Sequence, residues 1–191
     1  EERKAETRRR LLDAAADEFG AKGFHGVSAD SVADAADRTS GAVYAHFGNK
    51  VGLLLALLTE GALETGRQIK TGISAAGDTD ERLDAMWTSF IANASAEDST
   101  WMLLEHELWL FAARNPEARD LLAARFAAAR EVMAESFDGW ATESGTDLPL
   151  PSADMATLVF ALLMGLEMQH RVDPEAVTPE LGAAGLQQLF R

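Results

Sequence analysis

Between Ser28 and Leu53 the chain carries Ser28, Arg38, Thr39, Ser40, Tyr44, His46, Asn49 and Lys50, separated mainly by small residues. Hydroxyls, a phenol, an imidazole and two cations suit contacts to phosphates and base edges. Their placement follows from helix signals. Ser28 precedes Ala29-Asp30-Ser31-Val32-Ala33-Asp34-Ala35-Ala36 as an N-cap, with Asp30 in the first turn facing the helix dipole. Asp37-Arg38 interrupts that helix, because Asp tolerates the left-handed conformation of a tight turn, and Thr39 is placed to cap a second helix. The break has the length of a helix-turn-helix. Gly41 and Ala42 are small, so the face from Ser40 to His46 can lie close to a DNA groove while Val43 and Phe47 bury the other side. Asn49 caps a long following helix. Lys50 opposes that helix's dipole, which a phosphate partner would explain. Tyr44 and Lys50 are thus expected on the DNA backbone, and Ser40, Gly41, Ala42, Ala45 and His46 at base edges. Arg38 has two readings, a phosphate contact or a solvated turn residue.

Beyond residue 78 large, soft side chains accumulate. Most are expected in the core. Trp87, Phe90, Met102, Trp109, Phe126, Phe160 and Met164 are expected to surround a cavity for a small, mainly hydrophobic molecule, with Glu105 as a single polar anchor. The helix expected over 153–171 is apolar on nearly every side and needs two packing surfaces. Met155, Val159, Leu162 and Leu166 are expected against the same helix of a second copy. Glu105-His106-Glu107, and Glu167 with His170, interrupt apolar stretches and also fit solvent or interface edges. Adjacent ligands on a helix point about 100° apart and cannot converge on one ion, so no metal is expected.

These elements belong to an all-α chain. Strand alternation is nearly absent, and helices are expected at about 5–23, 29–36, 40–46, 50–71, 79–95, 98–114, 116–144, 153–171 and 179–190. Asn115-Pro116-Glu117 and Thr178-Pro179-Glu180 are cap, proline and acidic first turn; Ser152 is expected to cap after the break from Gly145 to Pro151. Residues 1–48 are read as a three-helix DNA-binding domain and 49–191 as a larger helical ligand-binding and dimerisation domain. The 191 residues are 47% hydrophobic, enough for a real core. There is no Cys, which removes disulfides and thiolate sites. The longest apolar run, Leu158 to Leu166, is too short to span a bilayer, and no signal peptide is visible. A soluble, cytoplasmic protein is expected.

Net charge is −14, yet its distribution is uneven. Residues 1–50 carry 8 Lys and Arg against 9 Asp and Glu, whereas 51–191 carry 9 against 22. The cations of the first part are concentrated at Arg3, Lys4, Arg8, Arg9, Arg10, Arg38 and Lys50. Singly, Arg8, Arg9 and Arg10 read as a solvated helix face; as a group they are expected near DNA. Acid elsewhere blunts non-specific binding.

From Thr7 to Leu58 the chain resembles the TetR family of bacterial transcriptional regulators. The resemblance rests on Leu11-Leu12-Asp13-Ala14-Ala15, Phe19, Lys22-Gly23-Phe24, Val32-Ala33 with Ala36, Gly41-Ala42-Val43-Tyr44, His46-Phe47, and Lys50 with Leu53-Leu54, in order and at the right spacing. It implies a homodimer that binds operator DNA, with a four-helix interface built from the last two helices of each copy. Three positions depart from the family pattern: Asp37-Arg38 where Gly and an aliphatic residue are usual, Ser40 in place of a frequent Lys or Arg, and Ala45 in place of an aromatic or polar residue. The reading face is therefore short of long polar side chains.

No Gly-rich phosphate loop, G-x-S-x-G elbow or H-E-x-x-H occurs, so neither an enzyme nor a cofactor is expected. The reading is a ligand-responsive repressor. Its rival, a helical carrier or interaction protein, would account for the Met and aromatic content but not for Ser28 to Leu53.

Overall fold

The computed structural model describes residues 1–94, 101–145 and 147–191, the side chains of 93 and 94 excepted. Among the described residues the chain is 81% helix with no strands. The helices are α1 (Glu2–Lys22), α2 (Ala29–Ala35), α3 (Ser40–Phe47), α4 (Lys50–Ser74), α5 (Thr79–Ala94), α6 (Trp101–Ala112), α7 (Pro116–Ser144), α8 (Ser152–Val172) and α9 (Pro179–Leu189). Each expected helix is present. Residues 95 and 98–100, included in two of the expected spans, lie outside the described residues.

The chain forms two compact units, one of Glu1–Leu63 and Thr100–Ala123, the other of Glu64–Ser99 and Ala124–Arg191. In the first, Leu11, Ala15 and Phe19 recur at i, i+4 along α1 and are fully buried, the period of a helix with one apolar stripe. α1 packs on α2, α3 and α6. Val32, Val43, Leu53, Leu54, Leu58, Met102 and Leu108 complete that core.

In the second unit α5 packs on α9 and α8, and α8 on α9. Trp87 of α5 is fully buried, and its indole lies where a Cβ on Gly182 of α9 would come within 2.0 Å of the ring. Only glycine admits that approach. Phe137, Trp140 and Phe190 form a second cluster, Phe137 meeting Phe190 edge-on at 5.1 Å. Thr178 caps α9 through the Leu181 N–H, and Asn115 caps α7 through the Ala118 N–H. Ser152 does not cap α8. Pro151 holds the cap position, and the Ser152 hydroxyl instead donates to Asp138 at 3.0 Å.

α8 also corrects an expectation about assembly. Its inward stripe is Met155, Ala156, Val159, Leu163 and Glu167. Met155 and Val159, expected against a second copy, are fully buried within the chain itself, while Leu162 and Leu166 are half-buried. A helix apolar on every side does not encode which side turns inward; α5 and α9 make that choice. Leu158 and Met168 are left 43% and 48% exposed. Among the described residues no single helix is long and apolar enough to cross a membrane.

Candidate nucleic-acid interface

The α2 to α3 segment is built from short-range bonds. Ser28 Oγ accepts from the Ser31 N–H at 3.0 Å, and Ser31 Oγ accepts from the Ser28 N–H at 3.1 Å, a reciprocal capping box. At the other end Asp37 takes φ 54°, the left-handed conformation expected of it. The Arg38 N–H donates to Ala33 O at 2.8 Å and the Asp37 N–H to Asp34 O at 3.1 Å. Those two bonds are a Schellman closure, which satisfies the last carbonyls of α2 and fixes the angle at which α3 departs. Thr39 occupies the N-cap position of α3, but its side chain makes no capping bond. That hydroxyl is exposed beside the start of the helix.

α3 divides cleanly into two sides. Val43 is fully buried and Phe47 half-buried, with the Arg8 guanidinium 5.6 Å from the Phe47 ring centre. Gly41, Tyr44 and Ala45 are exposed, and Ser40, Ala42 and His46 partly so. Tyr44 stands 54% exposed, an unusual state for the only tyrosine of the chain. Arg38, half-buried, donates to the Asp37 carbonyl at 2.6 Å and so stays folded onto the turn. Arg8 pairs with Glu60 at 2.6 Å, and Arg10 with Glu6 at 2.7 Å. Both pairs are exposed and contribute little to stability.

Lys50 departs from its expected role. Its ammonium donates to Phe24 O at 2.9 Å and Val27 O at 3.0 Å and lies 4.2 Å from the Phe24 ring centre. Partial burial pulls its pKa below the usual 10.5. The unfavourable dipole at the α4 start is thus answered within the chain by carbonyls of the α1–α2 loop. Asn49 caps α4 as expected, accepting from the Gly52 N–H at 2.9 Å.

Sequence reasoning missed the partner of this loop. Phe24 gives its carbonyl to Lys50 and its N–H to Glu107 of α6 at 2.5 Å, while its ring meets Phe111 at 4.9 Å. Gly23 turns at φ 66°, and a Cβ there would come within 2.9 Å of Glu107 Oε1. The positive φ is what calls for glycine, since the Glu107 carboxylate ends a flexible side chain. The run Lys22-Gly23-Phe24 was the visible signal, but nothing in it names Glu107.

Residues 11–57 match the profile of the bacterial regulatory proteins of the tetR family, and residues 78–191 match the Tetracyclin repressor-like C-terminal domain. The chain belongs to the TetR family. Its members are DNA-binding regulators rather than enzymes. No curated protein matches the sequence. Solved structures share the fold at low identity. A TetR-family transcriptional regulator from Rhodococcus sp. is 23% identical, with TM-score 0.76, over 98% of this chain and 100% of its own. The multidrug binding protein EbrR, complexed with imidazole, is 24% identical, with TM-score 0.72, over 97% and 90%. A transcriptional regulator from Saccharomonospora viridis, in complex with choline, is 20% identical, with TM-score 0.67, over 96% and 95%.

In this TetR-family chain the residues expected to wall a ligand cavity are distributed over both units. Met102, Glu105 and Trp109 belong to the first, and Trp87, Phe90, Phe126, Phe160 and Met164 to the second. Met102 and Glu105 are buried, but Trp109 is 51% exposed, so it does not share their inward face. Phe126 and Phe160 meet edge-on at 5.2 Å and, with Met164, are half-buried. Trp87 is engaged with Gly182. Two hollows are formed by other residues. One of about 160 Å³ lies among Thr79, Asp80, Trp140, Gln187, Phe190 and Arg191, and one of about 60 Å³ among Asn49, Val51, Phe111, Asn115, Ala118 and Leu121. Helical spacing identifies apolar residues; it does not say which of them become neighbours.

Proposed function

We propose that this TetR-family regulator is a homodimeric, cytoplasmic repressor that releases operator DNA when a small, mainly hydrophobic molecule binds its helical body. The observation that carries the DNA half is the capped, Schellman-closed helix pair that leaves Gly41, Tyr44 and Ala45 outward. α3 enters a major groove with Ser40, Gly41, Ala42, Ala45 and His46 toward base edges. Tyr44, Thr39, Ser28 and Arg38 lie toward phosphates. Lys50 acts one step back, holding the loop from Phe24 to Val27 against the α4 start.

Pairing of two copies is supported by the outer side of α8, where Leu158 and Met168 are exposed and Leu162 and Leu166 half-buried, and by Leu181 of α9, 52% exposed. The ligand half is supported by the buried aromatic and Met content, and by the imidazole and choline complexes of two proteins of this fold. A body of net negative charge favours a neutral or cationic effector over an anion. Ligand binding tilts α4 and alters the spacing of the two reading heads, and affinity for paired half-sites falls.

Selection of duplexes from genomic fragments by the purified full chain, followed by light scattering, tests this. A recovered sequence with two related half-sites, bound by a dimer, is expected. Recovery of unrelated sequences, or a monomer at micromolar concentration, overturns it.

A further inference from the structure

We propose that α3 reads its operator chiefly through the 5-methyl groups of thymine, not through bidentate hydrogen bonds to bases. The inference rests on the DNA-binding reading above and specifies what that helix distinguishes. Bidentate recognition of guanine takes Arg or Lys, of adenine Asn or Gln, and acceptance from cytosine takes Asp or Glu. Helix α3, Ser-Gly-Ala-Val-Tyr-Ala-His-Phe, contains none of these; Ser40 and His46 offer single hydrogen bonds, which discriminate bases less than a bidentate pair. Of the nearby cations, Lys50 bonds two carbonyls and Arg38 the Asp37 carbonyl, while Arg8 sits on α1 in an exposed pair with Glu60; none belongs to α3.

A second observation points outward from the same surface. Gly41 is the second residue of α3, where glycine is a poorer helix former than alanine. At Gly41 a Cβ would meet only Thr39 Oγ1 at 3.7 Å, an ordinary contact, so packing within the chain does not require glycine there. Gly182 differs, being forced by the Trp87 ring, and Gly23 by its positive φ. The bare Cα of Gly41, exposed beside Ala45 and the partly exposed Ala42, suits close approach by something outside the fold. Against a groove this surface offers aliphatic carbon within reach of base edges. The aliphatic feature that the major groove presents is the thymine methyl, which small apolar side chains recognise.

The experiment uses the full chain and the duplex it selects from a randomised library, resynthesised with deoxyuridine for individual thymidines. Uracil keeps every hydrogen-bonding group and loses only the methyl. Affinity is expected to fall about fourfold for each thymine whose methyl packs on α3, the scale of burying one carbon. Ala45→Gly should weaken the thymine duplex more than the uracil duplex at one position, a coupling that general helix destabilisation would not produce. Gly41→Ala should raise thermal stability while weakening the selected duplex by roughly tenfold, the scale of one lost base-pair contact. Equal affinity for fully uracil-substituted and thymine duplexes, with selective binding retained, overturns methyl reading and leaves the regulator assignment standing. If no duplex is selected over scrambled DNA, both readings fall.

Discussion

In the first unit the joints are directional bonds at named atoms: the Ser28 and Ser31 cap, the closure over Asp37, the Asn49 cap, and Phe24 held by Glu107 and Lys50. In the second unit the corresponding positions are held by shape. Trp87 lies on Gly182, Phe137 meets Trp140 and Phe190, and Phe126 meets Phe160. A reading head must present α3 at one angle, which directional bonds specify. A body held by apolar packing is less directional, because Met and aromatic side chains adjust to irregular partners. Damage should therefore differ in kind between the units, graded in the first and abrupt in the second.

The largest expected effect is in the second unit. Gly182→Ala places a methyl inside the Trp87 ring volume and should destabilise by about 3 kcal/mol, read as a drop in thermal midpoint with a change in tryptophan emission. An unchanged midpoint would mean that α5 and α9 are not packed through this contact.

Next comes the loop that Lys50 secures. Lys50→Ala removes two charge-assisted hydrogen bonds and should cost about 2 kcal/mol of stability. DNA affinity should fall because the head is loosened, while the slope of log affinity against log salt stays unchanged. A slope reduced by about one unit would restore Lys50 to a phosphate.

Smaller and opposite in sign are two changes at the ends of α2. Ser28→Ala should lose about 1 kcal/mol with the cap, and Asp37→Gly should gain about 1 kcal/mol by relieving a left-handed non-glycine residue. Chemical denaturation of both variants measures the pair. Loss of stability on Asp37→Gly would show that the aspartate side chain makes a needed bond.

The smallest effect is a pH dependence within α1. A hydrogen bond from Lys22, aided by its charge, holds the Glu18 carboxyl below its ordinary 4.5. Its contribution is present above that ordinary value and lost as pH falls through the lowered one. The stability difference between the wild type and Glu18→Gln should thus be present at neutral pH and vanish in acid. A difference independent of pH would refute the pairing.

Much of the first unit was legible from residue types at fixed spacings. Ser28, Asp37, Asn49 and the Val43 side of α3 act within a few positions of themselves, and the structure places them as their chemistry requires. The hold of Lys50 on the loop was missed because its carbonyl partners lie 26 and 23 residues earlier, out of reach of any local pattern. Glu107 was missed for the same reason, acting 83 residues from Phe24.

By itself the sequence determined the helices, their caps and turn, and which family the first fifty or so residues belong to, because those depend on local propensity and short-range hydrogen bonds. Which side of α8 turns inward, whether Trp109 or Trp87 is buried, and what the Lys50 ammonium holds were decided only by the tertiary structure. Apolar burial has no direction of its own. A residue that is apolar at helical spacing fits several neighbours equally well until the surrounding helices close around it.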